Sequence, residues 1–393
     1  MKWENIVNCV DIKTEAVKPF NGTKMFLSTG ALDGNTVVVS KLIQVTYDNR
    51  PSRANLIVHE GDIIFAKMQN TKKVLQITKE NESLIVSTGF FVVRPRSSLD
   101  GEYLFEYLNS DLFNSQKDKF CTGATQKALT NAGLKEILIP LPDIETQKKV
   151  AGALKRIRLL IEKRKEQIAV LDKLAKDTFI DMFGDPVVNP NGFDIRNLQE
   201  FYADSKNAVK CGPFGSALKK NEYTDQGIPV WTMDNITKNG NFINDVYLRI
   251  SEEKYEQLKA YSVKDGDVII SRAGTVGKMC VVQSGQEKSI ISTNLIRVRF
   301  NDELLPSFFV SLMTYCANRL ARLKKGDDGA FTHMSTDVLN NINFPYPPLD
   351  LQKQYTVRIA AITRQKHLLE VSIAELETTY KATMQKAFDG VLF

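Results

Sequence analysis

The sequence predicts a mixed α/β protein in which two similar domains are linked by two long helices that pair antiparallel as a coiled coil. Residues 144–182 place apolar side chains at alternating steps of three and four, the spacing of a helix that packs against another helix. The same pattern returns 205 positions later, at residues 349–387, and shorter motifs ahead of each stretch repeat at the same spacing. Several blocks in one register indicate an internal duplication.

The apolar stripe of the first helix is interrupted by Arg164 and Thr178 and contains no proline. The second helix carries Lys366 at the position where the first has Ile161. Because so long a stripe needs a partner helix, we expect the two stripes to pack together within one chain. The predicted helix-interface residues are Leu154, Ile157, Ile161, Ile168, Leu171, Ile359, Ile362, Leu369, Ile373 and Leu376.

Each long helix is preceded by an apolar run that ends in prolines, at residues 137–142 and 342–348. Proline cannot continue a strand ladder, so we expect a buried strand to end there and a helix to begin. The sequence therefore divides into a domain, a helix, a second domain and a second helix. The predicted boundaries are 1–142, 143–184, 185–348 and 349–393.

Within the first domain the pattern predicts short strands and one helix. Asp33-Gly34-Asn35 favours a hairpin turn, and Gly61-Asp62 precedes a strand at 63–65. Residues 101–109 have helical apolar spacing, and the second copy has a similar segment that starts at Pro306. The second domain therefore repeats the order of the first.

Composition narrows the class of protein. The 393 residues and 43% apolar content suit two or three domains with proper cores. Five scattered cysteines and three histidines suggest neither a disulfide framework nor a zinc site. No apolar run approaches the length of a membrane span, and the start of the chain is charged. We expect a cytoplasmic protein without membrane contact, metal or cofactor.

Catalytic motifs fail on inspection. The segment Gly274-Thr275-Val276-Gly277-Lys278 lacks the first glycine and the final Ser or Thr of a phosphate loop. Asn343-Phe344-Pro345-Tyr346 differs from an adenine-methyltransferase signature at its second residue, and no GxSxG occurs. We predict no catalytic residue, so the sequence favours recognition over chemistry.

Two basic features remain open to two interpretations. The net charge of +6 is modest, but many lysines and arginines lie in the first half of helix one. They form either a solvated helix face or a surface that contacts an acidic partner. The segment Cys211 to Lys219 contains two glycines, a proline and an aromatic side chain. It is either a loop that approaches a phosphate backbone or a plain surface turn.

The chain repeats one order twice: a domain, a run that ends in prolines, and a long helix. This repeated order resembles the specificity subunit of type I restriction-modification enzymes. The motifs that carry the resemblance are the blocks 134–147 and 339–352, Gly212-Pro213-Phe214-Gly215-Ser216, and Gly266 to Gly277. The resemblance covers essentially the whole chain. In the first copy, Ala66-Lys67-Met68-Gln69 replaces Ser271-Arg272-Ala273-Gly274, and the glycine-rich loop is missing.

The resemblance implies a subunit without catalytic activity. Each of its two target-recognition domains would read half of a bipartite site in double-stranded DNA. The helices would set the spacing of the half-sites and dock two methyltransferase subunits. Restriction/translocase subunits would join further out, so the partners would carry methylation and cleavage.

Side chains that read base edges should be polar, should lie on loops after strands, and should make paired hydrogen bonds. Each such residue is otherwise an ordinary surface side chain or a phosphate contact. The predicted DNA-binding set is Lys67, Gln69, Asn70, Gln126, Lys127, Lys219, Asn235, Arg272, Thr275, Lys278, Thr332 and His333.

A structural hub is the alternative hypothesis. In that case the coiled coil binds other proteins and the domains have no DNA specificity. DNA binding that weakens steeply with salt and depends on a split sequence would distinguish the reader from the hub.

Overall fold

The computed structural model describes residues 2–214, 217–237, 239–272, 277–320 and 334–391, with residues 317–320 described by their backbone alone. The chain forms two compact units. Unit 1 comprises the described residues up to Lys165 together with those from Glu370 onward, and unit 2 comprises those from Glu166 to Leu369. Both long helices cross this division, so each unit contains part of each helix.

The helices of the described chain include two that are 40 residues long, α5 and α9. Each begins directly after one of the predicted proline motifs. The α-helices are α1 Ile6–Cys9, α2 Gly101–Asn109, α3 Asp111–Lys119, α4 Asn131–Lys135, α5 Ile144–Phe183, α6 Glu252–Gln257, α7 Pro306–Leu320, α8 Thr336–Asn340 and α9 Leu349–Phe388.

Unit 1 contains two four-stranded sheets, with strand orders β2-β11-β8-β9 and β6-β3-β10-β7, and three two-stranded pairs. Its strands are β1 Trp3–Asn5, β2 Val10–Lys13, β3 Lys24–Leu27, β4 Leu32–Asp33, β5 Thr36–Val37, β6 Ile43–Val45, β7 Ala54–Ile57, β8 Ile63–Ala66, β9 Val74–Gln76, β10 Ile85–Ser87, β11 Phe90–Pro95, β12 Cys121–Thr122, β13 Ala128–Leu129 and β14 Leu138–Pro140.

The described part of unit 2 also has two four-stranded sheets, with the orders β16-β23-β20-β21 and β17-β19-β18-β22. Its strands are β15 Ile195–Asn197, β16 Val209–Cys211, β17 Tyr223–Thr224, β18 Ile228–Trp231, β19 Arg249–Ile250, β20 Val268–Ser271, β21 Met279–Val281, β22 Ile290–Ile291, β23 Leu295–Val298 and β24 Asn343–Pro345. Strands β8, β9 and β11 begin 205 positions before β20, β21 and β23, as helix α2 does before α7. The predicted fold class, two repeated mixed α/β domains with two long helices, is confirmed.

The repeated Gly-Asp motif makes the turn that leads into the central strand of each unit. Gly61 and Gly266 have φ values of 86° and 90°, a backbone region that favours glycine. The buried Asp62 carboxylate accepts the His59 backbone N–H at 2.9 Å and Arg94 Nε at 2.8 Å. Unit 2 repeats this arrangement. There Asp267 accepts the Lys264 N–H at 2.9 Å and the Arg299 guanidinium at 2.7 Å.

A buried glutamine in the first turn joins each long helix to its domain. In unit 1, Gln147 accepts the Asp100 N–H at 2.8 Å and donates to Ser98 O and Pro142 O at 3.0 and 2.9 Å. In unit 2, Gln352 accepts the Leu305 N–H at 2.9 Å. Its amide donates to Glu303 O and Pro347 O at 3.4 and 3.0 Å. The helix starts are therefore fixed by the same backbone groups in both units.

The end of one long helix and the start of the other share a core in each unit. In unit 1, Phe388 of α9 lies in one apolar cluster with Leu154 of α5, and its ring is 5.4 and 5.5 Å from Tyr103 and Tyr107. This places the two segments antiparallel within unit 1.

Unit 2 has the same arrangement with the helices exchanged. Phe183 of α5 packs 4.8 Å from Phe308 and 5.2 Å from Tyr355 of α9.

The predicted apolar stripe lies on the less solvent-exposed side of both helices. Leu154, Ile161 and Leu369 are buried, and the other seven predicted interface residues are partly buried. No described helix is both long enough and apolar enough to cross a bilayer.

Candidate nucleic-acid interface

In unit 1 the loop after β8 and the β12–β13 hairpin form one surface. The Gln69 backbone N–H donates to Lys127 O at 3.0 Å, and the Leu129 N–H donates to Lys67 O at 2.8 Å. The structure therefore brings together all five residues that were predicted to contact DNA in this domain: Lys67, Gln69, Asn70, Gln126 and Lys127.

These five side chains differ in whether they are hydrogen-bonded within the protein or exposed to solvent. Lys67 donates to Thr88 O at 2.9 Å and lies 4.6 Å from the Phe91 ring centre, and burial lowers the pKa of its ammonium. The Gln69 amide donates to Asp118 O at 3.0 Å. Lys67 and Gln69 therefore hold the loop in place.

Asn70, Gln126 and Lys127 are exposed. Asn70 has a left-handed φ of 56°, and the Asp118 carboxylate accepts its backbone N–H at 2.9 Å. The bond to Asp118 fixes the backbone of a residue whose amide side chain faces solvent. Two amides and one ammonium are thus available on this surface.

In unit 2, Arg272 follows β20 at the position that Lys67 occupies after β8. Its guanidinium carbon lies 5.1 Å from the ring centre of Phe214, which is 60% exposed. An exposed aromatic ring beside an arginine holds the guanidinium plane while leaving its N–H groups free to donate.

Gly212 explains how the Phe214 loop reaches this place. A Cβ on Gly212 would lie 1.9 Å from Ser292 O, so only glycine allows the two backbones to approach this closely. The Gly212 N–H also donates to Leu295 O at 2.9 Å. Lys219, at the end of the same segment, is exposed.

Two other predicted DNA-binding residues are used inside unit 2. Asn235 is fully buried. Its side chain accepts the Thr232 N–H at 2.8 Å and donates to Ile243 O and Asp245 O at 2.9 and 2.7 Å. Every polar atom of this amide is engaged, which conflicts with the prediction that Asn235 faces DNA.

Lys278 has a similar internal role. Its ammonium donates to Ile236 O at 2.8 Å and Met233 O at 3.3 Å. The residue at its place in unit 1, Lys73, donates to Thr29 O at 2.7 Å. A lysine at this position ties the central sheet to a neighbouring loop in both units, whereas the prediction placed Lys278 on the DNA surface.

The remaining predictions for unit 2, Thr275, Thr332 and His333, lie outside the described residues. Phe214 was not in the predicted set. The signal that could have identified it is a large apolar side chain between two glycines. In the structure it follows β16, which pairs with β23, the strand that also pairs with β20 ahead of Arg272.

Both long helices also expose apolar side chains that do not belong to the predicted stripe. In unit 1, Leu159, Leu160 and Val371 are between 41% and 46% exposed. In unit 2, Val170, Leu174, Val357 and Leu368 are between 47% and 72% exposed. Exposed apolar side chains on a helix surface commonly mark a place where a partner binds.

The comparisons with known proteins agree on one family. The model for the type I restriction modification DNA specificity domain matches the chain twice, at residues 6–171 and 213–378. The MjaVIII type I restriction enzyme specificity subunit of Methanocaldococcus jannaschii is 25% identical over 394 aligned positions, covering 95% of this chain and 85% of that protein.

Solved structures share the fold. The type I restriction-modification S subunit of M. genitalium has a TM-score of 0.60 at 15% identity, covering 98% of this chain and 96% of that one. A chain solved in work on complex assembly of a type I R-M system has a TM-score of 0.58 at 22% identity, with coverage of 100% and 98%.

The chain belongs to the type I restriction-modification DNA specificity family and contains two copies of the specificity domain. The resemblance inferred from the doubled motifs is confirmed.

Proposed function

We propose that this chain is the non-catalytic subunit that selects the DNA sequence for a type I restriction-modification complex, with each unit reading one half of a bipartite double-stranded site. The observation that carries the proposal is positional. In both units polar side chains follow the same buried strand: the exposed Asn70 follows β8 in unit 1, and the partly buried Arg272 follows β20 in unit 2. A duplicated scaffold with different polar groups at one place suits a site with two unlike halves.

These polar side chains suit base recognition in the major groove. Arginine pairs with two acceptors of guanine, and asparagine or glutamine pairs with adenine. Arg272 is the candidate reader in unit 2, and Asn70 and Gln126 are the candidates in unit 1. Lys127 and Lys219, as exposed ammonium groups, suit phosphate contacts, which position a protein without specifying sequence.

We further propose that the paired helices separate the two readers. A helix of 40 residues is about 60 Å long at 1.5 Å per residue, which is comparable to about 18 base pairs of DNA. Insertions or deletions in these helices should change the gap between half-sites and leave the half-sites unchanged.

The exposed apolar side chains of α5 and α9 support partner binding. We propose that they dock two methyltransferase subunits, which supply the chemistry, and that restriction/translocase subunits join that assembly. Leu159→Ala with Leu160→Ala, or Val170→Ala with Leu174→Ala, should weaken methyltransferase binding while leaving the melting temperature nearly unchanged.

The test of DNA recognition is to sequence the methylated sites in cells that express this chain with its methyltransferase. We expect one split motif with a fixed gap. Purified complex should then bind a duplex carrying that motif with strong salt dependence and at least 1,000-fold more tightly than a scrambled duplex, as is about the minimum for specific binders. Loss of methylation with no preference for any duplex would instead support a protein-binding hub.

A further inference from the structure

In unit 1 a network of charged side chains, of which Glu106 is buried and the others are partly buried or exposed, lies between helix α2 and the two long helices. Glu106, fully buried, accepts Arg158 Nε at 3.2 Å and also accepts the Tyr380 hydroxyl of α9. Glu102 accepts Arg158 Nη2 at 2.6 Å and Lys155 Nζ at 2.7 Å. Arg158 Nη1 also lies 3.8 Å from the Glu162 carboxylate, so three carboxylates surround two cations.

Small side chains occupy the equivalent positions of unit 2. Ser307 and Ser311 of α7 stand where unit 1 has Glu102 and Glu106. Thr363 replaces Arg158, and Ala175 replaces Tyr380. The space that these larger groups fill in unit 1 is a cavity of about 430 Å³ in unit 2.

The walls of this cavity are rich in hydrogen-bonding groups. Hydroxyl and amide side chains come from α7, α9 and the loop 239–244. They include Ser307, Ser311, Thr314, Thr356, Asn241 and Asn244. Ser307 and Thr356 are hydrogen-bonded to each other at 2.7 Å, and the Asn244 amide donates to Ser284 O at 3.2 Å. The polar side chains alternate with apolar ones, and such a mixed lining is typical of ligand pockets.

The charge of the lining is biased toward cations. Lys366 is 6% exposed and pairs with Asp172, whose carboxylate also accepts the Asn239 amide at 3.2 Å. Arg364 and His367 complete the lining. Neither of these two makes an ion pair with any residue that the structure describes. The one carboxylate of the lining is thus already satisfied, and Arg364 leaves the cavity with an excess positive charge.

We propose that this cavity is a binding site for a small hydroxylated organic phosphate of about the size of a mononucleotide. Its volume lies in the range of ligand pockets, about 300 to 1,000 Å³. The phosphate would lie near Arg364 and His367, because arginine binds phosphate through two parallel N–H donors. The hydroxyls and any base edge would face the serines, threonines and asparagines. This site is separate from DNA reading, so it does not depend on the function proposed above.

The test measures binding of AMP, ribose 5-phosphate, adenosine and inorganic phosphate to the full chain by calorimetry and by thermal shift. We expect AMP or ribose 5-phosphate to bind and to raise the melting temperature, because a ligand that binds only the folded state stabilises it. Arg364→Gln should weaken that binding about tenfold, the effect of losing one charge-assisted pair. Arg358→Gln, an exposed site on the same helix outside the cavity, is the matched control and should bind normally.

A second variant fills the cavity. Ser311→Glu with Thr363→Arg recreates the charge pair of unit 1 and should abolish binding while keeping the chain folded. If it does not fold, Arg364→Gln, which alters only an exposed side chain, still decides the question. Failure of all four probes to bind at millimolar concentration would overturn the proposal. So would binding that Arg364→Gln leaves unchanged.

Discussion

The two units differ where the short helix of each domain meets the long helices, α2 in unit 1 and α7 in unit 2. Unit 1 joins them through Glu106, Arg158 and Tyr380, whereas unit 2 has Ser311, Thr363 and Ala175 at those positions and has an open cavity there. At the starts of the long helices the units agree, because Gln147 and Gln352 bind equivalent backbone groups.

This contrast separates two kinds of interaction in a duplicated protein. Bonds from a side chain to the backbone, such as those of the two glutamines, depend only on the shared fold and persist in both copies. Bonds between two side chains can be lost together without leaving a buried group unpaired. The side-chain contacts between the domain helix and the long helices have therefore diverged, while the backbone contacts of the two glutamines have not.

Breaking the contact between Glu106 and Arg158 should produce the largest loss of stability. Arg158→Ala would leave Glu106 buried without its guanidinium, and we expect a loss of about 3 kcal/mol in the free energy of unfolding. Thr363→Ala, the equivalent change in unit 2, should cost less than about 1 kcal/mol. Urea denaturation of both variants checks this, and equal losses would show that the network does not stabilise unit 1.

Removing the shared glutamines should have equal effects in the two units. Gln147→Ala and Gln352→Ala each leave a partly buried backbone N–H without its acceptor, at an expected cost of about 1 to 2 kcal/mol. The exposed Gln354→Ala is the matched control and should be nearly neutral. If one glutamine proves dispensable in the same denaturation experiment, the scaffolds are not energetically equivalent.

Substitutions at equivalent positions of the two recognition surfaces should have unequal effects on DNA specificity. Arg272→Ala should relax specificity in only one half-site, at about 1 to 3 kcal/mol, because one paired base contact has that value. Lys67→Ala should change specificity less, since its ammonium is held by Thr88 O. Affinities for duplexes with single substitutions in each half-site provide the measurement. Uniform weakening by Arg272→Ala on all duplexes would mark a phosphate contact instead.

The pH dependence of stability should depend on Glu106. Burial is the main cause of the raised pKa of this carboxyl, with opposing contributions from Tyr380 and Arg158. A raised folded pKa stabilises the protein below the unfolded value of 4.5, and this stabilisation is lost as pH rises through the folded pKa.

Wild type should therefore lose stability relative to Glu106→Gln as pH increases above 4.5. Ser311→Ala in unit 2 should show no such trend. Parallel stability curves for wild type and Glu106→Gln would contradict the proposed burial effect.

Periodicity predicted the scaffold well because it depends on many residues at once. The stripe and the repeat spacing located helices α5 and α9, and the repeat predicted that unit 2 copies the order of unit 1. A single polar residue carries no such pattern. Asn235 and Asn70 both read as loop amides, yet the loop around Asn235 folds back so that its own backbone satisfies the side chain, while Asn70 faces solvent.

The contact of α2 with the two long helices could not be predicted from the sequence either. Glu106 and Tyr380 are 274 positions apart, so no local spacing connects them. The unfilled space of unit 2 follows from a combination of small residues on three helices, none of which is unusual alone.

The most direct test of the central claim, that paired helices separate two independent readers, is to lengthen both helices by one heptad. Seven residues inserted after Lys165 in α5 and after Glu370 in α9 keep the apolar stripe in phase. The added length is about 10 Å, or about three base pairs. Sequencing of methylated sites should then show both half-sites unchanged and the gap about three base pairs longer. An active complex that keeps the original gap would contradict the account.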